Sequence, residues 1–169
     1  RLGVGHDPAV ERPTVFPATR HRPSRGSRVF TGEYRHAIDA KGRVAVPARF
    51  RAELAGGGFV TRWIDNCVGI FPKQEWEKVT SRVADLPFSD AGSRVFTRFM
   101  FAGAFEFQPD TQGRLLVPPV LREFAALSEE TVVVGARDHI ELWAPDRWAA
   151  YSADMTGDSL AQRIQDLGI

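Results

Sequence analysis

Two five-residue stretches hold the residues best suited to chemistry in this chain: Asp39-Ala40-Lys41-Gly42-Arg43 and Asp110-Thr111-Gln112-Gly113-Arg114. Three kinds of chemistry are open to them. Each Arg can offer its planar fork to guanine O6 and N7, delivered into a major groove by a loop or β-ribbon. Each can instead form a surface ion pair with the Asp four residues earlier, which contributes little. The two carboxylates, Asp39 and Asp110, could also form a hydrolytic dyad if the fold brought them together. For that third option no accompanying cluster of His, Lys or metal ligands completes a site, and the chain has no Gly-x-Gly-x-x-Gly and no phosphate loop ending in Gly-Lys-Ser/Thr.

Charge separates the two stretches. Residues 35–51 contain Arg35, Lys41, Arg43, Arg49 and Arg51 against Asp39, whereas residues 106–122 contain Arg114 and Arg122 against Glu106 and Asp110. Phosphate contacts require clustered Lys and Arg, so the first stretch is expected to be the better DNA-facing surface and Arg43 to weigh more than Arg114.

The elements that must position these residues recur along the chain. Ile38 to Pro47 is repeated as Pro109 to Pro118, with Phe30, Gly32, Tyr34 and Arg51 matched by Phe101, Gly103, Phe105 and Arg122. After a one-residue slip, Phe71 and Trp76 match Trp143 and Trp148. Each copy predicts a strand (30–38; 103–107), a tight turn, and a second strand (43–46; 114–117). In the turn, Asp39 or Asp110 can bond the backbone two residues on, and Gly42 or Gly113 suits the bulge that closes a three-residue hairpin. Pro47 and Pro118 are expected to open the next helix, of which the first copy, 48–54, stops at the glycines 56–58. Further strands are predicted at 59–63, 69–71, 132–134 and 140–143, with helices led by Pro72 and Pro145. Val95, Phe96, Phe99 and Met100 fall at helical spacing within 89–100. Residues 155–169 could form a short helix but match nothing in the first copy, and they are left undecided. The four Trp are expected to pack in the core rather than stack on bases. His36 is left open between phosphate and solvent.

With 43% hydrophobic and 25% charged residues in 169, the chain has the composition of a globular protein. No apolar run approaches the roughly 20 residues a membrane helix needs, and Arg and Pro stand where a signal peptide would be apolar, so a cytoplasmic protein is expected. Cys67, the only Cys, has no partner for a disulfide or a zinc site and is expected to be buried. The net charge of +1 conceals an uneven distribution: residues 1–28 carry six Arg against Asp7 and Glu11 and have no pattern that would bury a face.

The duplicated Asp-x-x-Gly-Arg, each copy followed by β-type residues and a Pro-led helix with a distal Arg, resembles the MraZ family over about residues 29–152. In that family two tandem half-units of the AbrB type, a swapped-hairpin DNA-binding fold, share one chain. The resemblance implies an α+β fold: a small β-barrel of interleaved hairpins from two tandem repeats with short flanking helices. It implies a ring-like homo-oligomer, located in the cytoplasm at the nucleoid, that binds double-stranded DNA at repeated short promoter sites. It also implies repression of the operon for cell division and cell-wall synthesis, with no enzyme activity, cofactor, metal or membrane. Arg43 and Arg114 are thereby placed at the DNA, and position and charge add Lys41, Arg51 and Arg122. Asp39, Gly42, Asp110 and Gly113 are assigned to shaping the turns.

The chain then divides into a disordered extension (1–28), a first repeat (29–84), a linking helix (85–100), a second repeat (101–152) and a tail (153–169). Family members begin with Met where this chain has Val29, so residues 1–28 are expected to be an over-called upstream extension. The alternative readings are an oligomeric protein-interaction module without DNA binding and an aspartate-dependent hydrolase.

Overall fold

The computed structural model describes residues 29–155 and 157–167, so the expectation for residues 1–28 lies outside them. The elements run β1 (Glu33–Ala37), β2 (Arg43–Ala45), a 3-10 turn (Ala48–Phe50) leading into α1 (Arg51–Leu54), β3 (Gly58–Arg62), β4 (Val68–Pro72), α2 (Lys73–Ala84) and α3 (Ala91–Phe101). They continue with β5 (Phe105–Phe107), β6 (Arg114–Leu116), α4 (Pro119–Phe124), β7 (Glu130–Ala136), β8 (His139–Trp143), α5 (Pro145–Ala153) and α6 (Gly157–Asp166).

Six strands form one antiparallel sheet in the order β1-β7-β8-β4-β3-β5, and β2 pairs with β6 as a separate two-stranded ribbon. Strands cross between the halves of the chain: β1 lies against β7, and β5 lies against β3. The mixed α+β character matches the expectation. Among the described residues the strands do not close into a barrel, because β1 and β5 remain edges and the ribbon joins the sheet through the single bridge Ile38–Val44.

Alternation along the strands explains the layers. Val60, Ile70, Val133, Ile140 and Leu142 share one core with Val44 and Leu115 of the ribbon and with Phe50, Leu54 and Leu121. The residues between them, Phe59, Phe71, Val132 and Trp143, point to the other face and meet α2, α3 and α5 through Trp76, Met100, Trp148 and Tyr151. All four Trp pack in these clusters, as expected, and Cys67 is fully buried. Burial pushes its thiol pKa up, which makes it an inert packing group.

Two local expectations need correction. Pro47, Pro72 and Pro118 do not begin their helices; they are the residues before, extended at ψ 134, 152 and 146. Pro119 accounts for the last case, since the residue preceding a proline is forced out of the helical region. The first strand is shorter than 30–38, because Gly32 at φ 95 breaks it and leaves Phe30 bridged separately to Arg137. Residues 155–169, left undecided between a short helix and none, do contain α6, and the correspondence the sequence does not show is that α6 follows α5 as α3 follows α2.

Helix α4 ends in a Schellman motif: the Ala126 N–H donates to Glu123 O at 3.1 Å and the Leu127 N–H to Arg122 O at 2.8 Å. Ala126 stands at φ 52, where glycine is preferred and a Cβ is crowded. Ala126→Gly is expected to stabilise the fold by about 0.5–1 kcal/mol, read as a higher urea midpoint with unchanged slope.

Candidate nucleic-acid interface

The ribbon is where the two singled-out stretches meet. Val44 pairs with Leu115, its own repeat equivalent, flanked by Arg43 with Leu116 and Ala45 with Arg114. The two hairpins are thus related by a local two-fold through Val44 and Leu115. Those two side chains point into the core, so period-two alternation puts Arg43, Ala45, Arg114 and Leu116 on the outer face.

Each turn is held by hydrogen bonds to its own Asp. The Asp39 Oδ1 accepts the N–H of Lys41 and of Arg43, each at 2.9 Å, while the Gly42 N–H donates to Asp39 O at 2.8 Å. Asp110 does the same for Gln112 and Arg114, and Gly113 closes its turn at 2.9 Å. Gly42 and Gly113 stand at φ 78 and 72, where other residues are strained.

The remaining carboxylate oxygens take hold of the arginines. Arg43 Nε donates to Asp39 Oδ2 at 2.8 Å and Arg114 Nε to Asp110 Oδ2 at 2.8 Å. Across the two-fold, Arg43 Nη1 lies 3.9 Å from Asp110 and Arg114 Nη1 3.8 Å from Asp39. These four side chains form one cluster, about one-third exposed. The backbone N–H of Arg43, then its side chain, holds Asp39 below the usual carboxylate range, and Arg114 does so for Asp110.

Arg51 and Arg122 cross over to the opposite half. Each Nε donates to the carbonyl just after the ribbon strand of its own half, Val46 O and Val117 O, both at 3.1 Å. A Cβ on Gly113 would come 2.8 Å from the Arg51 Nε, and one on Gly42 equally close to the Arg122 Nε. Arg51 therefore lies over the second turn and Arg122 over the first. The positive excess of residues 35–51 is consequently divided in space, with Lys41 at one turn and Arg51 at the other. Arg43 and Arg114 have equivalent partners and nearly equal side-chain exposure, 30% and 28%. Burial, and then the charge of Arg51, lowers the pKa of His36, which the sequence leaves open. The sequence reading did not single out Arg49, which donates to the Tyr34 hydroxyl at 3.0 Å and lies over the Phe50 ring.

The fold does bring Asp39 and Asp110 into one cluster, but with an Arg on each and both held ionised. That arrangement suits holding cations in place and does not suit a dyad that must carry a proton.

A family model described as "MraZ protein, putative antitoxin-like" matches the chain twice, over residues 29–99 and 100–167, one Asp-x-x-Gly-Arg turn in each match. The chain belongs to the MraZ family. Similar MraZ proteins include the transcriptional regulator MraZ of Desulforamulus reducens, 45% identical over 141 residues that span 82% of this chain and 99% of the relative. The transcriptional regulators MraZ of Halothermothrix orenii (42% over 143 residues; 83% and 100%) and Thermomicrobium roseum (43% over 141 residues; 82% and 99%) are similar to the same extent. MraZ proteins carry the names of regulators and not of enzymes. Among the described residues of this MraZ chain, no helix is long and apolar enough to cross a membrane.

Proposed function

We propose that this chain is a sequence-specific transcriptional regulator that lays the outer face of the β2–β6 ribbon in the major groove of promoter DNA. The observation that carries this reading is the pairing of two Asp-x-x-Gly-Arg turns on one ribbon face. In each Arg the Nε is fixed by its own Asp, and the distal nitrogens are more than hydrogen-bonding distance from the opposite carboxylate. They remain available as a pre-oriented fork for guanine, with Asp39 and Asp110 acting as positioning residues. Lys41, Arg49, Arg51 and Arg122 supply phosphate contacts around the ribbon.

The resemblance supplies the finer reading. The crossed pairing of β1 with β7 and β5 with β3 supports a reading as two interleaved AbrB-like repeats. The chain acts as a ring-like homo-oligomer at the nucleoid in the cytoplasm, on repeated short sites, and represses the operon for cell division and cell-wall synthesis. Exposed Leu86, Phe88 and Val95 on and between α2 and α3 favour self-association, and they are also what the protein-interaction reading would use.

Binding to DNA from upstream of its own gene, followed across a salt series, tests the reading. Four phosphate contacts per protomer give a slope of log K on log salt of roughly −3 to −4. Affinity for that DNA should exceed affinity for scrambled DNA throughout. Assembly without such a preference would favour the interaction module.

A further inference from the structure

A second polar cluster lies on β8, on the side of the sheet away from the ribbon. His139, Glu141 and Trp143 alternate with the core residues Ile140 and Leu142, so their side chains share the face that meets the helices. The imidazole stacks on Phe71 of β4 with centroids 4.8 Å apart, and the Trp63 ring meets it edge-on at 5.3 Å. Gly69, paired with Glu141, makes room for both rings: a Cβ there would lie 2.7 Å from Phe71 Cε2 and 3.2 Å from Trp63 Cγ. Each imidazole nitrogen meets a carboxylate, Nδ1 with Asp138 Oδ1 at 2.7 Å and Nε2 with Glu141 Oε1 at 3.2 Å. The other Glu141 oxygen accepts the Trp143 indole N–H at 2.9 Å, and Trp143 packs on Trp148 and Tyr151 of α5.

A neutral imidazole has one N–H and one lone pair, so it satisfies one of these carboxylates and turns a lone pair on the other. Only the imidazolium donates to both. Among the described residues no further charge faces the ring, since β4 presents Phe71 and the residue after β3 presents Trp63. Glu141 also faces Cys67 and Tyr151, whose pKa values burial raises, so both stay protonated. We infer that His139, Asp138 and Glu141 form a proton-operated clamp that locks the β7–β8 hairpin onto β4 and α5 while the imidazole is charged and loosens it when the proton leaves. The tip of that hairpin exchanges backbone hydrogen bonds with Phe30, from Phe30 N–H to Arg137 O at 2.8 Å and from Arg137 N–H to Phe30 O at 3.0 Å. The state of the clamp therefore reaches the segment before β1. Burial lowers the His139 pKa, but the hydrogen bonds and charges of Glu141 and Asp138 outweigh it and leave the pKa raised. A group with a higher pKa folded than unfolded stabilises fully below its unfolded value and loses that contribution as pH rises through its folded value. The clamp is thus closed below about pH 6.5 and opens on the alkaline side.

NMR of the histidine ring protons in the full chain between about pH 5 and pH 9, with thermal melts at each pH, tests this. The four His are His6, His21, His36 and His139, and His139→Gln identifies the last of them. In wild type His139 is expected to titrate above His36, whose pKa burial lowers. The melting temperature is expected to fall by about 2–4 °C as His139 loses its proton. Glu141→Gln keeps an oxygen for the Trp143 N–H and removes the charge, while Asp138→Asn alters the more exposed carboxylate, 45% against 18%. Each is expected to lower the His139 midpoint and flatten the fall in melting temperature, and His139→Gln to abolish that fall. Asp138→Asn keeps the test decisive if Glu141→Gln does not fold. Titration of His139 at or below the ordinary imidazole value would overturn the inference. So would an unmoved midpoint in the carboxylate variants, or equal losses of stability with rising pH in wild type and His139→Gln.

Discussion

Arg43→Ala combined with Arg114→Ala is expected to remove sequence discrimination almost completely. Two bidentate base contacts correspond to a loss of specific affinity of at least about thirtyfold and up to about ten-thousandfold. The turns should survive, because Asp39 and Asp110 keep their bonds to the backbone N–H groups at Lys41, Arg43, Gln112 and Arg114, which no side-chain change removes. The informative companion is the pair Arg43→Lys and Arg114→Lys. Lys retains the charge but has neither the fork nor an Nε to rest on the neighbouring Asp. Non-specific affinity at low salt should then stay within a few-fold of wild type while preference over scrambled DNA is lost. Equilibrium binding to both DNAs at two salt concentrations separates these outcomes. If the Lys pair discriminates as well as wild type, the Arg are structural. The two single Ala variants are expected to lose similar amounts, given their equivalent surroundings, although the charges counted along the chain favour Arg43.

Phe50→Ala is expected to be the most damaging single truncation for stability. Phe50 is 2% exposed and meets Phe30 and Tyr34 edge to face, with ring centroids at 5.1 and 5.5 Å. It joins the segment before β1, the strand itself and the short helix that carries Arg51. Removing a buried ring of this kind costs about 3–5 kcal/mol, a large part of the stability of a typical domain. Urea unfolding followed by Trp fluorescence should show the midpoint fall accordingly. A loss below about 1 kcal/mol would mean that the site collapses around the gap or that Phe50 is less central than its contacts indicate.

Much of this was legible in the sequence because the relevant physics is local. Asp39, Gly42, Asp110 and Gly113 prescribe their turns through backbone hydrogen bonds and a positive φ, both decided within five residues. Val95, Phe96, Phe99 and Met100 announce α3 by spacing alone. Which strand lies beside which is a different matter. Nothing in the residues of β1 says that its neighbour is β7, a hundred positions away, so the crossing of Arg51 and Arg122 to opposite turns could not be read. For the same reason the charge of residues 35–51 looked like one patch and is two. The meeting of Arg43 with Asp110 likewise depends on Val44 lying against Leu115, a long-range pairing suggested only by the repeat.

The crossed strands also bear on how the molecule is made. Glu33 pairs with Val134, so the first strand leaves the ribosome about a hundred residues before its partner exists. At ordinary rates of synthesis that gap is roughly 5–20 seconds, far longer than hairpins and helices take to form. During it β3 and β4 can already pair with each other, but β1 has no correct neighbour on the nascent chain. Neighbouring ribosomes on one messenger can offer the wrong one, a β1 from one chain meeting a β7 from another. Translation speed and shielding of the emerging first half are therefore part of what secures one fold per chain.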